Sequence, residues 1–139
     1  MSRYPEEFTI PMAKDLNDSG FKSLKTVQEV DQTFINQEGT TLVVVNSICG
    51  CAAANARPAV KIAVGHEKRP DNLVTVFAGV DIEATEKARE YMLPYPPSSP
   101  SIALFKDGEL VHFIERQRIE GRSAELISEN LKMAFDRFC

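Results

Sequence analysis

Two short aliphatic runs, Thr41-Leu-Val-Val-Val-Asn46 and Leu73-Val-Thr-Val-Phe-Ala78, constrain this chain more than any other feature. Neither alternates apolar with polar residues, so neither suits a sheet with one wet face. Such runs fit strands covered on both faces. Between them, residues 51–64 are Ala-rich with Pro58 inside, which reads as a helix kinked or interrupted near the proline. A buried strand, a helix and a second buried strand make a right-handed unit with parallel strands. Asp81 then stands where it can cap a helix over 82–92, whose Glu83, Glu86, Lys87 and Glu90 form a solvated face.

Pro94-Tyr-Pro-Pro-Ser-Ser-Pro100 cannot be regular structure. After it, Ser101-Ile-Ala-Leu-Phe105 and Leu110-Val-His-Phe-Ile114 flank Lys106-Asp107-Gly108-Glu109, and Asp-Gly between two such runs is a strong hairpin signal. Ser123 caps a last helix reaching Phe138, with Leu126, Ile127, Leu131 and Phe135 as its apolar stripe. At the other end, residues 1–40 read as helical and amphipathic. Thr26-Val-Gln-Glu29 fits a capping box, Val27, Val30 and Phe34 follow at helical spacing, and Gly39 ends the stretch.

From residue 41 the order is therefore β-α-β-α-β-β-α, a mixed α/β sheet in which both strand–helix–strand units are expected to be parallel and the hairpin adds an antiparallel edge. The arrangement resembles the minimal thioredoxin-like fold. Its 139 residues form a single domain, with 1–40 as an N-terminal helical extension and 41–139 as the core.

The charge balance, 16 basic against 20 acidic residues for a net −4, does not describe a nucleic-acid binder, although the basic residues could still sit unevenly. The N-terminus lacks the apolar stretch of a secretory signal, and the longest aliphatic run, Leu42 to Val45, is far short of a membrane span. The expectation is a cytoplasmic protein without membrane partners. Three cysteines are too few for a disulfide scaffold, and in a reducing compartment closely spaced cysteines point to catalysis or metal.

Cys49-Gly50-Cys51 follows the first buried strand and opens the first helix. Free N–H groups and the positive end of the helix dipole favour a thiolate there, and the thiolate is the reactive form. Gly50 allows a tight turn and leaves the sulfur open, while Cys51 is close enough to attack a mixed disulfide formed on Cys49. One intervening residue closes a small, strained ring, so a potential of roughly −230 to −130 mV is expected, more oxidising than thioredoxin's. Half of a metal site and an inert pair are the competing readings. His66, His112 and Cys139 are available as further ligands, but none has ligand spacing, so no metal site is assigned.

Pro100-Ser-Ile-Ala-Leu-Phe-Lys-Asp-Gly108 is similar to the thioredoxin-like segment in which a cis-proline faces the cysteines. The resemblance implies that Ser99-Pro100 is a cis bond and that Ser99 and Pro100 contact substrate. More narrowly, Val45-Asn-Ser-Ile-Cys-Gly-Cys-Ala-Ala-Ala-Asn-Ala-Arg-Pro58, Asp71-Asn-Leu-Val-Thr-Val-Phe-Ala-Gly79, Tyr95-Pro-Pro-Ser-Ser-Pro100, Val111-His-Phe-Ile114 and Ile119-Glu-Gly-Arg-Ser123 together resemble the bacilliredoxin family. That resemblance implies a substrate, proteins in mixed disulfide with the low-molecular-weight thiol bacillithiol, and no bound cofactor. Cys49 attacks, and Cys51 or a second bacillithiol releases the captured thiol. Disulfide isomerase or general reductase is the alternative. A metal-binding or thiol-sensing module is a third.

Two departures from ordinary thioredoxin stand out. There is no Trp, and Val43, Val44 and Val45 occupy the strand where thioredoxin buries an acid beneath its cysteines. Proton transfer from Cys51 therefore needs water or another group. Elsewhere, Cys139 reads as a frayed terminal thiol, His112 as structural or solvated, and His66 as a residue near a helix end. Arg57 is too far along its helix to activate Cys49 and is read as a contact for an acidic substrate group.

Overall fold

The computed structural model describes residues 2–35 and 38–139. Its elements run α1 (Glu6–Asn17), β1 (Lys22–Ser23), α2 (Val27–Ile35), β2 (Thr40–Asn46), α3 (Arg57–Ala63), β3 (Asn72–Phe77), α4 (Ile82–Tyr91), β4 (Ser101–Lys106), β5 (Glu109–Ile114) and α5 (Ala124–Phe138). The sheet order is β1-β3-β2-β4-β5.

All seven residues of β2 are buried, as a strand covered on both faces requires. Its side chains divide by the period of two. Leu42 and Val44 join the cluster that holds Ala59, Val60 and Ala63 of α3 with Ile127, Leu131 and Phe135 of α5. Val43 and Val45 join Val30 and Phe34 of α2 with Ala84 and Ala88 of α4. The chain is thus a three-layer sandwich, with α3 and α5 on one face and α2 and α4 on the other.

The hairpin is closed by a two-residue turn between paired Lys106 and Glu109. Asp107 (φ 49°) and Gly108 (φ 83°) both take left-handed conformations, the geometry that matches the twist of the two strands and that an Asp-Gly pair supplies. At α2, Thr26 Oγ1 accepts the Glu29 N–H at 3.1 Å, and the Glu29 carboxylate accepts the N–H of Lys25, one residue before the cap. Ser123 caps α5 through the Leu126 N–H at 3.1 Å.

Several expectations are corrected. The N-terminal stretch is not wholly helical, because Lys22–Ser23 pairs in parallel with Val74–Thr75 and adds a fifth strand at the sheet edge. Two residues leave no periodic signal. The second strand–helix–strand unit is not parallel, since β2 and β4 are antiparallel. Residues 93–100 explain this. Eight residues reach up to about 26 Å when extended. The ten residues of α4 span only about 15 Å. The loop therefore returns the chain to the end of the sheet that α4 left, and β4 runs back down.

Asp81 precedes α4, but its side chain makes no capping hydrogen bond. Burial pushes its carboxyl above the usual range. Leu126 is 64% exposed, one position off the buried 127-131-135 stripe. The interruption at Pro58 is a π-helical turn over Ala52–Ala56, where the Arg57 N–H reaches back to the Ala52 carbonyl and Pro58, having no N–H, enters the first turn of α3. Both Leu93-Pro94 and Ser99-Pro100 are cis.

Candidate active site

The helix containing the π-turn begins at Gly50, which leaves Cys49 as its cap residue. The Cys49 carbonyl accepts from the N–H groups of Ala52 (3.0 Å) and Ala53 (3.3 Å). Its sulfur accepts from the Cys51 N–H at 3.4 Å, which is where an oxygen cap would sit. The sulfur of the attacking candidate therefore occupies the site where unpaired helix N–H groups converge.

The approach to Cys49 is held from beneath. Asn46 Oδ1 accepts the Ser47 N–H at 2.9 Å, its Nδ2 donates to the Met12 carbonyl of α1 at 3.2 Å, and Ser47 Oγ accepts the Cys49 N–H at 3.1 Å. Arg57, only 5% exposed, donates through Nη1 to Asn46 Oδ1 (3.0 Å) and the Ser47 carbonyl (3.1 Å), and its Nε lies 3.4 Å from the Asp15 carboxylate. This corrects the reading of Arg57 as a substrate contact. The residue lies under the turn, out of solvent. Neither the Ala-rich helix nor charge spacing signals that, since a buried arginine is seen only once its acceptors come together.

The residue that sequence reasoning missed is Arg116, in the 3-10 turn Arg116–Arg118 between β5 and α5. Its Nη2 donates to the Cys49 sulfur at 3.3 Å, its Nη1 to the Ser99 carbonyl at 3.3 Å, and its Nε to Glu120 at 2.6 Å. The cis Ser99-Pro100 bond and Cys49 thus meet through one guanidinium. The available signal was a basic residue with an acid four positions on, which by itself reads as an ordinary surface pair.

The two thiols are driven apart in acidity. Cys49 is held below the ordinary thiol range, first by the hydrogen bond from the Cys51 thiol and, against the opposing effect of burial, by the Cys51 and Ala52 N–H groups and the Arg116 charge. Cys51 is pushed above that range, first by burial and then by its bond to Cys49 and the Cys49 and Glu120 charges, with Arg116 opposing. Gly50 does not use glycine's conformational freedom, because its φ lies outside the left-handed region. A Cβ placed there would have no neighbour within 4 Å, so what glycine leaves is open space beside the sulfurs.

The remaining candidates lie elsewhere. The exposed Cys139 sits by Thr40 and Asp71, roughly 20 Å of strand away from Cys49 along β2. His66 pairs with Asp136 at 2.9 Å, and His112 bonds Asn130 at 2.6 Å. Among the described residues, no three His, Cys, Asp or Glu side chains group to hold a metal. Among them too, no helix is long and apolar enough to cross a membrane.

Comparison with known proteins agrees with this geometry. The family model for disulphide isomerase matches residues 4–139. A bacilliredoxin of Cytophaga hutchinsonii is 56% identical over 133 residues, covering 96% of this chain and 98% of the relative. A bacilliredoxin of Halalkalibacterium halodurans is 54% identical over 136 residues, covering 98% and 94%. Among solved structures, an oxidised Arabidopsis thaliana thioredoxin superposes with a TM-score of 0.58 at 14% identity, over 85% of this chain and 96% of that one. Malassezia sympodialis thioredoxin gives 0.57 at 14%, over 86% and 90%. Those two show the fold. The near full-length identity shows the kinship, and the chain belongs to the bacilliredoxin family of thiol–disulfide oxidoreductases.

Proposed function

We infer that this protein removes bacillithiol from mixed disulfides on client proteins, with Cys49 attacking and Cys51 resolving. The observation that carries the assignment of roles is the hydrogen-bond set on the Cys49 sulfur, from the Cys51 N–H at 3.4 Å and from Arg116 at 3.3 Å. These donors favour the thiolate on that sulfur, and the half-buried Cys51 keeps its proton. The choice of thiol rests on the relatives' name, bacilliredoxin.

The Cys49 thiolate attacks the bacillithiol sulfur. One S–S bond forms, the client's S–S bond breaks, and the client leaves as a thiolate that takes a proton from water. Cys51, as a thiolate, then attacks the Cys49 sulfur and expels bacillithiol, leaving a Cys49–Cys51 disulfide for a dithiol reductant. Alternatively a second bacillithiol releases the first. Ser99, Pro100 and the open space at Gly50 border the incoming disulfide, and bacillithiol is a co-substrate rather than a bound cofactor. The reading places the protein in the reducing cytoplasm.

The test uses a bacillithiolated client with wild type, Cys49→Ala and Cys51→Ala, followed by intact-mass spectrometry. Cys49→Ala is expected to leave the client modified, and Cys51→Ala to accumulate protein carrying one bacillithiol. Full activity of Cys49→Ala refutes the assignment. The second reading, protein disulfide isomerase, is supported by the description of the matching family model. It gains if a scrambled multi-disulfide protein is repaired faster than the bacillithiolated client.

A further inference from the structure

The guanidinium at the active sulfur is held in place from two sides. Nε bonds Glu120 at 2.6 Å and Nη1 bonds the Ser99 carbonyl at 3.3 Å, which sets the plane of the fork and leaves Nη2 directed at Cys49, 3.3 Å away. An arginine makes three such contacts at once because its donors are rigidly disposed. A lysine in the same place offers a point charge without the fork. In a chain of net charge −4, this cation sits at the sulfur that must ionise first.

We propose that Arg116 is a catalytic residue of the exchange, serving Cys49 in the attacking step and Cys51 in the resolving step, and that Glu120 is its positioning residue. The inference rests on the assignment of Cys49 as attacker and Cys51 as resolver. Before attack, the Cys49 thiolate accepts from Nη2, and its negative charge helps keep the proton on Cys51. Attack places the Cys49 electron pair in a new S–S bond, and the sulfur becomes neutral. The charge that opposed Cys51 ionisation is gone, while the Arg116 cation remains 3.3 Å from the sulfur that also takes the Cys51 N–H at 3.4 Å, close enough to favour a second thiolate there. Cys51 gives its proton to water, attacks the Cys49 sulfur and expels the captured thiol as a thiolate. The dithiol has lost two electrons and the original mixed disulfide has gained two. One fixed cation therefore assists two successive thiolates, and the first reaction is what transfers its assistance to the second.

The full-length protein and its Arg116→Gln, Arg116→Lys and Glu120→Gln variants provide the test, with far-UV circular dichroism confirming the fold. Two rates are read, neither needing bacillithiol. The first is iodoacetamide alkylation of Cys49 against pH in the Cys51→Ala background, quantified on the Cys49 peptide. The second is release of the second thiopyridone from 4,4′-dithiodipyridine, an uncharged disulfide, which reports displacement by Cys51. Arg116→Gln is expected to move the alkylation midpoint to higher pH, to lower the rate below it roughly two- to fivefold, as befits an exposed charge pair, and to slow the second release comparably. Arg116→Lys restores part of both. Glu120→Gln, which frees the fork, shifts the Cys49 alkylation midpoint in the same direction by less, while at Cys51 the loss of its own negative charge offsets the loosened fork. Unchanged rates in Arg116→Gln overturn the proposal, and slowing of one step alone overturns the two-step role. If Cys51 alkylates ahead of Cys49 in the wild type, the assignment of attacker fails. If Cys49 leads but ignores Arg116, only this inference fails.

Discussion

Replacing Arg57 by Met tests whether the turn under Cys49 is built on a buried cation. The guanidinium donates to Asn46 Oδ1 at 3.0 Å and to the Ser47 carbonyl at 3.1 Å, while Ser47 Oγ receives the Cys49 N–H at 3.1 Å. Hydrogen bonds from charged donors are worth about 1.5–3 kcal/mol each. The lower figure applies here, because Asn46 Oδ1 keeps the Ser47 N–H and Asp15 keeps Lys61 at 2.7 Å, so the Ser47 carbonyl is the one acceptor fully orphaned. Two bonds at the lower figure give a loss of about 3 kcal/mol. For a chain of this length each kcal/mol moves the midpoint by about 3–4 °C, so thermal unfolding followed by far-UV circular dichroism should fall by about 10 °C. Arg57→Lys should lose most of the same, since one ammonium cannot reproduce the fork. A fall of less than about 3 °C in Arg57→Met would show that these bonds carry no net weight and that the turn is held by packing alone.

Three further outcomes are expected. As pH is lowered, alkylation of Cys49 should be the last of the three cysteines to fade, because its thiolate persists to lower pH while Cys51 and Cys139 are both raised, first by burial; peptide-resolved alkylation from pH 5 to 9 checks this, and co-fading of Cys49 and Cys51 refutes it. Gly50→Ala, at an ordinary φ with empty space around it, should change stability by less than about 0.5 kcal/mol, whereas Gly108→Ala at φ 83° should cost about 1–2 kcal/mol by urea unfolding. The Cys49–Cys51 couple, equilibrated against glutathione, should poise at roughly −230 to −130 mV, and a value below thioredoxin's would remove the small-ring argument.

What the sequence made legible follows from which forces are local. β2 and β3 announce themselves because a strand covered on both faces needs a continuous apolar run, and the hairpin because Asp107 and Gly108 must both take positive φ. Cys49 is legible because its chemistry comes from the helix it starts. Lys22–Ser23 is not, since two residues carry no period and pairing with Val74–Thr75 is a tertiary event. The direction of β4 escaped because α4 suggested a simple crossover and the return path lies in an aperiodic, proline-rich loop. Arg57 and Arg116 escaped for the same reason as each other. Each is defined by partners brought together from distant parts of the chain, with Asp15 and Asn46 about one, and Cys49 and Ser99 about the other.

Those two arginines divide one problem between them. A Cys-Gly-Cys pair places two nearly equivalent thiols side by side, and exchange chemistry needs them to be unequal in a fixed order. Helix N–H groups alone do not provide that, because both residues lie in the first turn and both are reached by the same field. The inequality comes from position. Arg57 fixes the turn so that the Cys49 sulfur sits at the cap, accepting the Cys51 N–H with Arg116 in reach, while Cys51, half-buried beside it, keeps its proton. The buried cation holds the turn that places the sulfur, and the exposed cation adds to the donors that favour its thiolate. Arg57→Met and Arg116→Gln are therefore expected to separate cleanly, the first lowering stability and the second altering the pH dependence of a fold that remains intact.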